Sequence, residues 1–248
     1  MEHYKNVLKY YFEHFSIFII LTAICSIKYI NITNTALVVS LSYIVFFSIC
    51  EFKFKRNGTS LIHLAKFKKI SIQELLLIIL SFILFSLVSG FIVNLVVHNF
   101  KDYNITSNFI NESLSTYLSL ICITVFMPIS EEILMRGLIF NELKSNLNLS
   151  KSLIIQAMIF ALSHGSILQI IYTFTGGIVY GLIYLWTDSI IAPIIAHITF
   201  NITGTIILSM LFLYIKEHIY VYIFLGTLLM LISMSFLYKF SKCKKTTF

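Results

Sequence analysis

Six polar side chains define the chemistry this sequence could host. They are Glu131, Glu132 and Arg136 in "EEILMR", His164 at the end of "FALSH", and His197 with Asn201 in "HITFN". All six sit in stretches that otherwise read as lipid-soluble. A charged side chain at the bilayer centre costs roughly 2.5–3.5 kcal/mol even on the gentler insertion scales, so such residues are functional candidates by default. Carboxylates and imidazoles together can activate water by general acid–base catalysis. They can equally bind zinc with one position open, or relay protons through a carrier.

Helical spacing sorts these groups. Residues four apart lie about 40° apart around a helix, and adjacent residues about 100°. Glu132 and Arg136 therefore share a face and are expected to form an i,i+4 ion pair. Glu131 points elsewhere, toward a cavity. His197 and Asn201 share a face, as do Phe160 and His164. The two prolines of the chain, Pro128 and Pro193, stand three residues before Glu131 and four before His197. Each is expected to kink its helix and to free a carbonyl, of Thr124 and Ser189 respectively, for a wet cavity to satisfy.

The elements that position these residues follow from composition. The chain is 58% hydrophobic and 12% charged, with a mean hydropathy of +0.90. Soluble domains run near about a quarter charged. Apolar runs match the length needed to cross a bilayer, and they predict an all-α, polytopic transmembrane bundle. Eight spans are expected, at about 11–30, 34–52, 72–99, 113–144, 151–164, 166–187, 189–214 and 218–239. The fifth is short for a crossing, and the fourth is long enough to tilt or protrude.

Loop charges orient the bundle. With both termini cytoplasmic, fourteen Lys and Arg residues fall on the inner side, and Lys28, Lys101 and Lys216 on the outer side. This positive-inside asymmetry accounts for the net charge of +7 without nucleic acid. The basic loop 53–69 carries Phe54, Leu61, Ile62, Leu64 and Phe67, and reads either as an amphipathic helix on the inner leaflet or as a plain tether. Gly177 and Gly181 have the spacing that lets helices approach closely. Cys25, Cys50, Cys122 and Cys243 are far apart and predict neither disulfides nor a zinc knot. The first apolar run follows Lys5 and Lys9 with no small-residue cleavage site, so it reads as an uncleaved span. The expected organisation is one integral membrane domain. Residues 1–112 hold three spans and the basic loop, 113–205 the motif-bearing core, and 206–248 the last span and a basic tail.

Depth gives a further test. Glu13, His14, Glu51, Glu74, His98, Asp188 and His218 are set aside as able to reach an interface. Counted from the cytoplasmic turns at 1.5 Å per residue, Glu131, His164, His197 and Asn201 all fall at about 13–21 Å from the same surface. Separate helices thus place their polar groups in one layer.

The ordered motifs E-E-x-x-x-R (Glu131–Arg136), F-x-x-x-H (Phe160–His164) and H-x-x-x-N (His197–Asn201) resemble the CPBP family of intramembrane proteases. That family comprises type II CAAX prenyl endopeptidases and bacteriocin-processing or bacteriocin-immunity proteins. The run "GGIVYGLIYLWTDSIIAPIIAH" is also similar, and the resemblance covers roughly residues 113–205. It implies peptide-bond hydrolysis, with Glu131 as general base and His164 orienting or deprotonating the water. His197 and Asn201 would form an oxyanion hole. Glu132, Arg136 and Phe160 would support them.

The family is described both as metal-dependent and as metal-independent. A zinc ion would take Glu131, His164 and His197. The sequence has no H-E-x-x-H, and Asn201 suits an oxyanion hole better, so no cofactor is favoured and zinc stays the alternative. The implied partners are the lipid bilayer and a peptide or membrane-protein substrate. The implied location is a multi-pass position in a cell membrane, and the coding bias favours a bacterial plasma membrane. Two other readings stay open: a non-proteolytic immunity or chaperone-like protein of the same family, and a proton-coupled transporter.

Overall fold

With no water in the bilayer core, each backbone N–H and C=O must be satisfied within the chain, which favours helices. The computed structural model describes residues 4–27, 34–211 and 218–246, and every element among them is helical. In chain order they are α1 (Tyr4–Cys25), α2 (Thr35–Arg56), α3 (Leu61–Ala65), α4 (Ile72–Asn99), α5 (Tyr103–Ser113), α6 (Tyr117–Asn146), α7 (Leu149–Leu162), α8 (Ile167–Thr187), α9 (Ile191–Ile207) and α10 (Ile219–Thr246). Short polar side chains start most of them. Asn34, Ser60, Ser71, Thr116, Asn148 and Ser166 each accept a bond from a backbone N–H of the first turn.

Each of the eight predicted spans corresponds to a helix. Five of these helices, α2, α4, α6, α8 and the 219–242 part of α10, are long and apolar enough to cross a membrane, whereas α7 and α9 are apolar but shorter, and α1, at the expected first span, falls in neither group. Residues 28–30 of the predicted first span and 212–214 of the seventh, with Lys28 and Lys216, lie outside the described residues. Cys25, Cys50 and Cys122 are buried and unpaired.

Helix α5 is not expected from the sequence, because "NITSNFINES" is polar enough to read as loop. Its two ends are tied down. Asp102 accepts the Ile167 N–H at 2.5 Å, and the Thr106 hydroxyl meets Ser166 at 2.8 Å and Gln169 at 2.7 Å. At the other end Glu112 accepts the Thr35 N–H at 2.8 Å. The helix thus bridges the starts of α2 and α8.

Two prolines behave differently from expectation. Helix α6 runs through Pro128 with π-helical stretches on both sides, Cys122–Phe126 and Ile133–Phe140. In that register Met127 N–H bonds Cys122 O, so the carbonyl Pro128 leaves free is that of Ile123, not Thr124. Pro193 lies in the first turn of α9, where a missing N–H has no intrahelical partner to lose, so it starts that helix without kinking it. The Ser189 carbonyl accepts from the Thr187 hydroxyl at 3.4 Å.

The basic loop is a docked strap. Ala65 is fully buried, and a Cβ added at Gly137 of α6 would meet the Ala65 Cβ at 2.9 Å. Lys66 adopts a left-handed backbone (φ 61°), and its carbonyl accepts the Ile190 N–H at 3.1 Å. Its ammonium reaches Asp188 at 2.7 Å, and Lys68 also pairs with Asp188. Burial alone would push the Asp188 carboxyl up. The hydrogen bonds from Lys66 and Lys68 outweigh that and hold it below its ordinary 3.8. Glu74, set aside as interfacial, is instead buried. It closes a capping box with Ser71 and accepts from Ser241 of α10 at 3.2 Å.

Candidate active site

Four helices supply the site. Gly177 and Gly181 bring α8 close to α7: a Cβ at Gly177 would lie 2.9 Å from the Ala157 Cα, and one at Gly181 2.5 Å from a Leu153 methyl. This approach aims the Gly177 carbonyl at α6 and α7. Arg136 Nη2 donates to it at 3.0 Å and Gln156 Nε2 at 2.8 Å. Arg136 Nη1 donates to Glu132 Oε1 at 3.0 Å, the ion pair the spacing predicts. The guanidinium carbon also sits 4.8 Å from the Phe160 ring centroid and 5.2 Å from that of Tyr180, within cation–π range. Both members of the pair are 0% exposed, so the charges lie in a closed knot between α6, α7 and α8.

Beside the knot lies a cavity of about 1130 Å³. Glu131, Phe160, His164, His197 and Asn201 all line it, whereas Glu132 and Arg136 lie behind the wall. The structure therefore brings the predicted residues together and divides them. Glu131, with its side chain 15% exposed, faces open space, while its neighbour Glu132 is sealed.

Hydrogen bonds fix the ring nitrogens. His164 Nδ1 lies 2.9 Å from the Phe160 carbonyl, which can only accept, so Nδ1 carries a proton and the neutral ring keeps its lone pair on Nε2. His197 Nδ1 lies 2.8 Å from Glu132 Oε1 and donates to it, while His197 Nε2 lies 3.7 Å from Glu131 Oε2. Glu132 thus joins the knot to the cavity: one oxygen holds both Arg136 and His197. Asn201 Nδ2 donates at 2.8 Å to the Ile123 carbonyl, the group freed by Pro128, and its second N–H is available to the cavity. The proline, the π-helical turn and the asparagine work as one device that fixes α9 against α6.

Two aromatic residues and one histidine escaped the sequence reading. Tyr180 stacks on His197, with centroids 4.7 Å and planes 22° apart, and covers Arg136. Its signal was its position three residues after Gly177, on the face that the glycines press against α7. His14 and Tyr43, from α1 and α2, line the same cavity. Phe160 is buried and packs edge-on to His164 at 5.0 Å and to His197 at 5.8 Å, a packing role.

The zinc alternative requires Glu131, His164 and His197 to converge on one point. Among the described residues no three His, Cys, Asp or Glu side chains are grouped to hold a metal ion.

Residues 113–203 match the family model described as type II CAAX prenyl endopeptidase Rce1-like. No curated protein and no solved structure matches the chain. The matched segment runs from the end of α5 into α9 and contains all three motifs.

Proposed function

We propose, from the match of residues 113–203 to the type II CAAX prenyl endopeptidase Rce1-like model, that this chain is an intramembrane endopeptidase of the CPBP family acting through Glu131-activated water. The substrate would be a membrane-associated, leader or signalling peptide. The observation that carries this reading is the division of the two adjacent carboxylates. Glu132 is bound to Arg136 and His197, and Glu131 is left on a cavity wall with two imidazoles and a carboxamide.

The proposed steps use that geometry. The lone pair on His164 Nε2 accepts a hydrogen from water and orients it, and Glu131 takes the water's other proton as hydroxide adds to the scissile carbonyl. Charge develops on the carbonyl oxygen. His197, as an imidazolium with Nδ1–H on Glu132, donates from Nε2, and Asn201 donates its second amide hydrogen. Glu131 then returns its proton to the leaving amine. Glu132 holds the His197 ring in place and balances its charge, and Arg136 holds Glu132. No metal is required in this scheme. The basic ends of the helices are read as cytoplasmic, in a bacterial-type plasma membrane, with both termini inside and eight spans in one membrane domain.

Hydrolysis has a direct signature. Purified protein in nanodiscs, given membrane-protein extract in heavy-oxygen water, is expected to produce new C-terminal carboxyls carrying the heavy isotope. Treatment with a zinc chelator should leave the yield unchanged. A product yield lost to the chelator and restored by zinc would contradict the metal-free scheme. An extract with no new termini would favour the idle immunity or carrier readings.

A further inference from the structure

His14 lies near the middle of α1 and lines the cavity that holds Glu131, His164, His197 and Asn201. Its ring is held on three sides. It stacks on Tyr43, with centroids 4.1 Å and planes 19° apart, and meets the edge of Phe46 at 5.5 Å. Its Nε2 lies 3.2 Å from the Ser42 hydroxyl oxygen. That hydroxyl has one hydrogen, which it donates to the Val39 carbonyl at 2.6 Å. With that hydrogen on the Val39 carbonyl, the shorter of its two contacts, Ser42 accepts from His14 and Nε2 carries the proton. In the neutral ring this leaves Nδ1 as a lone-pair acceptor, with no protein partner among the described residues.

Packing alone does not call for such a group. An aromatic hydrocarbon would stack on Tyr43 equally well, without a polar atom that has to be satisfied. The cavity wall includes Phe15, Phe18, Val39, Leu134 and Met135, alongside polar groups such as Asn94, Asn108 and Gln169. A peptide brought into such a space loses water from its main-chain N–H groups, and each one left unpaired is unfavourable. Glu131 and His164 Nε2 are engaged with the attacking water in the mechanism above. An acceptor on the α1–α2 wall, away from the reacting atoms, meets that need.

We propose that His14 is a substrate-binding residue whose Nδ1 accepts a main-chain N–H from an extended, apolar peptide segment held in the cavity. The inference rests on the endopeptidase reading and adds a class of ligand to it. A purely hydrocarbon group has no use for such an acceptor, whereas a peptide backbone does.

The test uses the full chain in nanodiscs, with membrane-protein extract as the first probe. The peptide most strongly cleaved from it is then synthesised for kinetics. His14→Phe and His14→Leu remove the acceptor, and His14→Gln keeps an acceptor and a donor. Losing one buried hydrogen bond is expected to raise KM about tenfold with kcat changed by less than about threefold, and His14→Gln should recover most of the loss. Whichever of the Phe and Leu variants keeps the wild-type melting transition is the one read. An unchanged KM, or a fall in kcat at constant KM, overturns the proposal. Loss of the melting transition in both variants shows a structural role and overturns it as well. If wild type and Glu131→Gln give identical extracts, the endopeptidase reading itself fails and takes this inference with it.

Discussion

The knot and the cavity are built from the same motif and differ in almost every physical respect. In the knot, Glu132, Arg136, Gln156 and the Gly177 carbonyl are shut away from solvent and bonded to one another. On the cavity wall, Glu131, His164 and Asn201 are partly exposed and each keeps capacity to bind something else. Only a peptide bond separates Glu131 from Glu132, yet the turn of about 100° between them sends one to the scaffold and one to the chemistry. A membrane enzyme needs both. In the proposed mechanism the closed network sets the position of His197, and the open one performs the reaction.

Substitutions can break this division, beginning with the strongest. Glu131→Gln removes the proposed general base while keeping shape, so cleavage should fall by about 10²–10⁴, with the melting temperature in detergent unchanged. Arg136→Leu leaves the buried Glu132 carboxylate without its guanidinium and with His197 as its one remaining partner, and should lower stability by about 3–5 kcal/mol, read from thermal unfolding. Pairing it with Glu132→Gln should restore much of that stability but not cleavage, because His197 then loses its carboxylate. Gly177→Ala pushes a methyl against the Ala157 backbone and should cost about 1–3 kcal/mol, with a parallel loss of activity as the Gly177 carbonyl moves off Arg136.

The strap offers the smallest effect. Asp188 has a lowered pKa in the folded chain, so its contribution is present above the unfolded value and is lost as pH falls through the lower, folded one. Asp188→Asn keeps a residue suited to the left-handed backbone there and should cost roughly 0–1 kcal/mol near neutral pH, as exposed ion pairs do. The difference from wild type should vanish once the pH is below the folded pKa, as pH-dependent melting would record.

The sequence made some of this legible and hid the rest for identifiable reasons. Spacing alone pairs Glu132 with Arg136, because four residues return to the same helix face. Counting residues from basic turns places Glu131, His164, His197 and Asn201 in one layer, and they line one cavity. An α-helical register would free the Thr124 carbonyl, but a π-helical turn shifts the partner by one residue. The same register predicts a kinked span at Pro193, whereas Ser189 and Ile190 already end the preceding turn. Helix α5 is held by Asp102, Thr106 and Glu112 through bonds to residues far away in the chain, which local pattern cannot reveal. His14 reads as interfacial in a first span that begins near residue 11. The helix begins at Tyr4, which moves His14 to its middle.

The most direct test of the central claim is mass spectrometry of membrane peptides from cells expressing wild-type protein or Glu131→Ala at equal levels. The account predicts a set of cleavage products that is present with the wild type and missing with the variant. Identical peptide profiles from the two, with both proteins folded in the membrane, would contradict it.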